Sequence, residues 1–341
     1  MRSQPNAPCK VSIVIKALNE EARIAACIES ALQAVDAVGG EVVLADSCST
    51  DQTTVIASRY PIRIVQLKYP HERCCGAGPQ LGYLHSRGEF VYILDGDMQM
   101  LDGFLPAALT FLEQHTEVGG VGGVVVEQNT HSLEYIARME RASGHMQAGQ
   151  VDRLDMGGLY RRQAIEQIGF LSNRNLHSYE EFDLAVRLRT LGWRLWRLPI
   201  SAVNHYGHDA PPYELLRRRW TSGYICGLGE VLRNAWRQPH FGLILSDVRE
   251  LRLYVLVLLW WLTLLSTPLF LHSLASQLTA LSGFICGPLM LMALRKRSLG
   301  KGLFSVVSWH FNVLGLLRGL FRRPSHPIPY VAAQVLQEPW H

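Results

Sequence analysis

The loops behind the first predicted strands contain no G-x-G-x-x-G and no G-x-x-x-x-G-K-[ST]. Without those phosphate cradles, the conventional dinucleotide-binding and P-loop readings are excluded. No two of the seven cysteines stand at C-x-x-C spacing, so a zinc site of that type is excluded too. Their odd number and the adjacent pair Cys74 and Cys75 fit reduced thiols in a cytosolic body rather than a disulfide framework. Met1–Lys10 has no apolar run, so no secretory signal is expected. Acid is scarce in the last quarter. From Leu251 to His341 eight Lys and Arg residues face Glu338 alone, a net +7 against +4 for the whole chain, which leaves −3 on residues 1–250. A nucleic-acid binder carries its basic stripe on the folded body, so no nucleic-acid partner is expected.

Short apolar, β-branched runs fill the first hundred residues instead. Val11–Ile15, Glu41–Ala45, Ile62–Leu67 and Phe90–Leu94 read as strands, with helical patterns between them through Ile24, Ile28 and Leu32 and over Gly76–Ser86. Strands alternating with helices imply βαβ units and a mostly parallel sheet flanked by helices. The loops at 17–21, 46–51 and 95–99 should then open on one edge, which would carry Asn19, Glu20, Asp46, Asp95 and Asp97. Ligands of such sheets bind beyond the carboxyl ends of the strands. Asp95-Gly96-Asp97 sits at such an end, where two carboxylates can hold a hard divalent cation against a diphosphate. An Asp-Gly turn capping the next helix is the competing reading. Ser49 or Thr50 can cap the helix after the second loop.

The second half is less regular. Gly119–Glu127 is Gly-rich and β-branched, and Ser132–Gln147 reads as helix. Gly157 and Gly158 lie where a backbone could approach a ligand closely. Ser178 with Glu181 forms a capping-box pattern, and Glu180, Glu181 and Asp183 would favour the dipole of the helix they open. Trp193–Leu198 reads as strand, followed by His205 and His208; Tyr213–Trp236 reads as one helix with Arg217, Arg218 and Arg219 beside Trp220.

Two uncharged stretches follow, Leu253–Leu271 and Leu274–Leu294, each long enough to cross a bilayer. Arg249 and Arg252 precede them and Arg295, Lys296 and Arg297 follow, so the positive-inside rule puts both ends of the hairpin in the cytosol. A buried core hairpin is the alternative. Leu303–Leu317 is apolar but carries His310 and Asn312 and runs into Arg318, Arg322 and Arg323; it reads as a helix lying on the cytosolic interface. Pro324–Pro329 reads as irregular and extended. The expected domains are 1–245, a cytosolic α/β domain, and 246–341, a membrane hairpin with a basic interfacial tail.

VSIVIKALNEE, ADSCSTDQT, GEFVYILDGDM and SYEEFDLAVRLRTLGW, in this order and spacing over about residues 10–225, resemble the family 2 glycosyltransferases. These are inverting enzymes with the GT-A, Rossmann-like nucleotide-sugar fold. The resemblance implies that Ala17, Asn19, Glu20 and Asp46 hold the nucleotide; Arg73 and Gln80, from their place before the central strand, could reach phosphates or base, with plain surface polar residues as the alternative. The resemblance also implies that Asp95 and Asp97 bind a divalent cation, Mg²⁺ or Mn²⁺, and the diphosphate; from the chemistry of the loop, His205 or His208 could add a metal or phosphate contact, His205 being the metal candidate. Of Glu180, Glu181 and Asp183, Glu181 stands at the catalytic base, where the family usually has Asp. Lys16 stands where the family usually has Pro. Arg219 and Trp220 match the end of the Q-x-x-R-W motif of processive members, with Leu216 in place of its Gln; with Gly157 and Gly158 they are assigned to the acceptor side.

The expected function is a membrane-anchored inverting glycosyltransferase. It would use a cytosolic nucleotide sugar, a UDP-sugar first among donors, and a lipid-linked or membrane-proximal glycan acceptor in cell-surface polysaccharide synthesis. The expected location is the inner membrane, multi-pass, with the catalytic domain in the cytosol. The alternatives are a tethered nucleotide-sugar binding protein with impaired catalysis, which the Glu181 departure favours, and a nucleotidyltransferase, whose Gly-rich basic signature is missing from Val11–Glu21.

Overall fold

A computed structural model describes residues 9–129, 144–207, 210–324 and 327–340. Most of the helix expected over Ser132–Gln147, and His208, lie outside them. Contacts divide the chain into two compact units, Met1–Asp209 with Pro324–His341, and Ala210–Arg323. The division therefore falls at 209/210 rather than 245/246, and the last residues return to the first unit.

Among the described residues ten strands form the sheet of that unit: β1 (Val11–Ala17), β2 (Gly40–Asp46), β3 (Arg63–Leu67), β4 (Phe90–Asp95), β5 (Met98–Met100), β6 (Val118–Glu127), β7 (Gly149–Val151), β8 (Gly158–Arg161), β9 (Arg194–His205) and β10 (Ala333–Gln337). Their order is β10-β3-β2-β1-β4-β8-β6-β9-β5, with β7 also on β9. The block β3-β2-β1-β4 is parallel, as the alternation of strand and helix requires. Beyond it the sheet is mixed: β8 runs antiparallel to β4 and β6, β5 and β7 antiparallel to β9, and β10 antiparallel to β3.

Along β1, Val11, Ile13 and Ile15 point to one core and Val14 to the other, because side chains alternate across a strand. The first core is covered by α1 (Ile24–Asp36), α2 (Thr53–Ala57) and α4 (Phe104–Gln114), the second by α3 (Ala77–Leu84), α5 (Arg162–Gln167) and α6 (Glu180–Thr190). Helix α1 buries Ile24, Cys27, Ile28, Ala31 and Val35, the 3-4 spacing of an amphipathic helix.

Three features of this unit depart from the expectations. Strand β9 runs on to His205 instead of stopping at Leu198, because its far half is held between β6 and β5. The four-residue β8 carries Gly158 into the sheet beside Ile93. Beyond Pro329, where no strand was expected, the tail closes the sheet edge: Val331 is buried in the second core, Lys68 N–H donates to the Ala332 carbonyl at 3.0 Å, and Arg63 pairs with Glu338 at 2.8 Å.

The second unit is helical. The helix expected over Tyr213–Trp236 is broken into α7 (Pro212–Thr221) and α8 (Gly227–Ala235) by Gly223, whose φ of 80° ends the first helix. Then come α9 (Phe241–Asp247), α10 (Glu250–Phe270), α11 (Leu274–Lys296) and α12 (Leu299–Phe321). The last three are long and apolar enough to cross a membrane, with mean hydropathy 1.9, 1.6 and 1.3. Helices α8 and α12 touch backbone to backbone: a Cβ on Gly229 would lie 2.1 Å from the Leu316 carbonyl oxygen.

Candidate active site

The first three loops leave the sheet from one edge and are zipped together. The Ala17 carbonyl accepts the Ser47 N–H at 2.9 Å, and Gly96 N–H donates to the Lys16 carbonyl at 3.0 Å. Asn19 adopts a left-handed φ of 59°, which lets its N–H reach Ser49 Oγ at 2.9 Å while its Oδ1 accepts the Thr50 N–H at 2.7 Å. Glu20 N–H donates to Thr53 Oγ1 at 2.7 Å. Asp46 is fully buried; its Oδ2 accepts from Ser49 N–H at 2.9 Å and Gln66 Nε2 at 2.8 Å, and its Oδ1 accepts the Ser49 hydroxyl. Ser49 is thus engaged by Asp46, and neither it nor Thr50 caps α2. Asp51 binds there instead, accepting the Thr53 N–H at 3.0 Å.

Asp95 ends β4 and Asp97 begins the turn into β5. Asp95 Oδ1 is buried without a well-aligned hydrogen bond, and the Lys16 ammonium stands 2.9 Å away. The same ammonium donates to Glu180 Oε1 at 3.3 Å. Lys16, last but one in β1, therefore ties the acidic turn to the start of α6. Burial opposes its charge, but the carboxylates around it, Glu180 foremost, raise its pKa. On the other side of the turn, Asp97 Oδ2 lies 3.5 Å from His205 Nε2, and His205 Nδ1 meets Glu127 Oε2 at 2.5 Å. Burial, reinforced by the negative charge of Asp97 and Asp51, lifts the Glu20 carboxyl to about 7.

Among the described residues, no group of three or more His, Cys, Asp and Glu gathers around one point. The donor set is a carboxylate and an imidazole, with a second carboxylate held by Lys16. That suits a hard cation whose remaining positions are filled by water and by phosphate oxygens of a bound nucleotide. Asp97 and His205 fit such a cation; a closed all-protein cage is not what these residues form.

Helix α6 begins at Glu180 behind Tyr179, whose left-handed φ of 67° turns the chain. The capping-box expectation for Ser178 and Glu181 fails here, because Glu181 reaches outward. Its carboxylate accepts the N–H of Met156 at 3.1 Å and, at 3.5 Å, that of Gly157. Met156 and Gly157 both have positive φ, 64° and 97°, which aims two successive N–H groups the same way. Burial is the largest influence on Glu181; Asp155 and Glu180 add to it, Lys16 and the Met156 N–H oppose it, and the carboxyl rises to about 7. Asp183 is different. It is buried and bonded to Arg187 at 2.8 Å, and Arg187 also donates to the carbonyls of Phe170 and Leu171. That ion pair belongs to the packing under α6.

Other expected site residues are placed as follows. Arg73 is half-buried, its Nε donating to Pro70. Gln80 is buried and both ends of its amide are occupied, by Ser172 N–H at 3.0 Å and the Pro329 carbonyl at 3.2 Å. It braces the C-terminal tail, so the expected nucleotide contact is not what its amide does. Gly157 serves Glu181 and Gly158 is sheet. Arg219 and Trp220 lie on α7 in the helical unit, Arg219 over the Tyr224 ring and Trp220 edge-on to Phe311.

Residues 12–169 match the family model described as Glycosyl transferase family 2. Over these residues the chain is similar to that family. Within the matched residues lie Asn19, Asp46, Asp95 and Asp97; Glu180, Glu181 and His205 lie beyond them. A dolichyl-phosphate beta-glucosyltransferase of Trichomonas vaginalis is 31% identical over 97 residues, 26% of this chain and 30% of that protein. The chain thus spans about a third of the length of that curated relative. The mannosyltransferase PcManGT from Pyrobaculum calidifontis, solved with GDP-Man and Mn²⁺, has the same fold, with a TM-score of 0.62 over 93% of this chain and 88% of that one at 18% identity. S. aureus TarS residues 1–349 with UDP-GlcNAc align at a TM-score of 0.50 and 18% identity, over 72% of this chain and 78% of that one. The fold is GT-A, and the acid turn of this domain stands where the β4 strand delivers it.

Sequence reasoning missed Lys16 as the link between Asp95 and Glu180, the Met156 N–H, Gln66 behind Asp46, and Glu127 behind His205. One signal was available for two of these: a charged residue inside an otherwise apolar strand, Lys16, and one at the end of another, Glu127, each needs a partner.

Proposed function

We propose that this chain is a membrane-anchored inverting glycosyltransferase, taking a sugar from a cytosolic nucleotide sugar to a lipid-linked or membrane-proximal glycan. One observation carries the reading. A carboxylate raised to about 7 and clamped by backbone N–H groups, Glu181, is tied through Glu180 and Lys16 to the Asp95 turn that follows β4. An inverting transfer needs both parts. Glu181 accepts the proton of the acceptor hydroxyl, whose oxygen then attacks the anomeric carbon as the bond to the leaving phosphate breaks. A divalent cation held by Asp97 and His205 would balance the charge on the departing diphosphate. The relatives' ligands, UDP-GlcNAc and GDP-Man, support a nucleotide-sugar donor; we take a UDP-sugar as the first to test and cell-surface polysaccharide synthesis as the setting. Hydrolysis assayed across UDP-, GDP- and dTDP-sugars with Mn²⁺ tests the reading. Turnover of one donor supports it, and binding of a donor without turnover would favour a tethered binding protein instead.

In this reading Asp46 reads the nucleotide, Asn19 and Glu20 shape the same pocket, and Arg73 reaches the phosphates. Asp46→Ala is expected to raise the donor KM more than it lowers kcat, since a contact made equally in ground and transition states affects binding alone. An unchanged KM with a collapsed kcat would move Asp46 to the reacting centre. Gly157 and Gly158 keep the proposed acceptor side within the first unit.

Helices α10 and α11 are read as the membrane hairpin of an inner-membrane protein, with both ends cytosolic, because the basic residues 249, 252 and 295–297 flank it. Impermeant thiol reagents on intact cells should label a cysteine placed at Ser273 and spare one placed at Arg297. The opposite pattern would invert the hairpin and remove the cytosolic donor.

A further inference from the structure

We propose that Glu127 is a positioning residue for the proposed cation site, presenting His205 to the metal beside Asp97. The inference rests on the reading that Asp97 and His205 hold a divalent cation. Glu127 ends β6 and His205 ends β9, and the two residues are partners in the parallel register. Glu127 Oε2 meets His205 Nδ1 at 2.5 Å. The other oxygen accepts two backbone N–H groups, from Asn129 at 3.1 Å and Gly207 at 3.2 Å. The carboxylate is therefore fixed at both oxygens on the two chain segments that leave the strands. Nδ1–H donated to Glu127 directs Nε2 at the acidic turn, 3.5 Å from Asp97 Oδ2, and in the neutral ring that nitrogen would carry the lone pair a cation needs. Histidines that ligate metals characteristically donate their second ring nitrogen to a carboxylate, which fixes the tautomer and makes the ligating nitrogen more basic.

A cross-strand polar pair that merely holds two strand ends together would explain the short contact as well. It makes a different prediction for metal affinity, because Nε2 would then only pair with Asp97 and take no cation. The full-length protein, purified in detergent, is titrated with Mn²⁺ and free ion is followed by electron paramagnetic resonance. Glu127→Ala should weaken Mn²⁺ binding by about 10–100-fold, the usual cost of losing such a partner. Glu127→Gln keeps the volume and an acceptor, and should lose less. His205→Ala should weaken binding at least as much as Glu127→Ala, and the double variant should bind no worse than His205→Ala alone, because Glu127 acts through the ring. Saturating Mn²⁺ should restore donor turnover in Glu127→Ala. A Glu127→Ala protein that binds Mn²⁺ within twofold of the parent would overturn the proposal, as would losses that multiply in the double variant. If the parent protein itself takes up no Mn²⁺, the cation reading fails first and the positioning role falls with it.

Discussion

Glu181→Gln is expected to lose about 10²–10⁴-fold in kcat, the usual contribution of a positioned base, with donor affinity nearly unchanged. Gln keeps the volume, and its amide oxygen can still accept the Met156 N–H that Glu181 accepts at 3.1 Å. The neutral side chain cannot take a proton. The parent enzyme should show an acidic limb in kcat near the raised pKa of about 7: the base is ionised above it, so the rate falls as pH drops through it, about tenfold per unit. The limb should vanish in the variant. Near-normal turnover in Glu181→Gln would make this carboxylate a structural clamp on the 155–158 loop and would pass the role to Glu180, which Lys16 already holds. Asp183 is a poor third choice, since its partner Arg187 is buried with it. Breaking that pair should unfold the helix packing rather than slow the chemistry.

Asp97→Ala should abolish metal-dependent nucleotide binding and lower transfer by about 10³-fold or more, the rate equivalent of several kcal/mol of lost charge stabilisation. The fold should survive. The Asp97 side chain is 28% exposed, and substitutions at such surface positions usually stay within about 0.5 kcal/mol. Normal turnover at saturating donor would remove the cation from this turn. Asp95→Ala has a less direct outcome, because it also takes from the Lys16 ammonium one of the two carboxylates it bridges, Asp95 and Glu180.

The parallel half of the sheet and its loops were legible because each element announces itself locally: a short β-branched run, then acid or Asn at its carboxyl end. The apolar helices were legible by length and absence of charge. What failed was local chemistry outbid by distant partners. The Ser178–Glu181 spacing is a sound capping pattern, yet a left-handed Tyr179 and the N–H groups of Met156 and Gly157 took the carboxylate elsewhere. Gln80 looked like a surface polar residue in reach of a nucleotide, but the tail that occupies it lies 249 positions away in sequence. Glu127 and His205 are 78 apart, and each strand alone gives no hint of the other. Strand β10, exposed and glutamine-flanked, has no core pattern to read; its register against β3 is what makes it a strand.

That last strand constrains the way the chain threads a bilayer. Strand β3 precedes the apolar helices and β10 follows them, yet the two are hydrogen-bonded neighbours. A chain that leaves one side of a membrane and comes back to the same sheet has made an even number of passages. Among the described residues three helices have the length and hydropathy to cross, and under the proposed membrane reading parity lets at most two of them do so. Helix α12 has the lowest hydropathy of the three, contains His310 and Asn312, and carries Lys301 in its first turn and Arg318 in its last. In that reading the lower hydropathy and the polar residues of α12 select α10 and α11 as the crossing pair and α12 as the helix that does not cross.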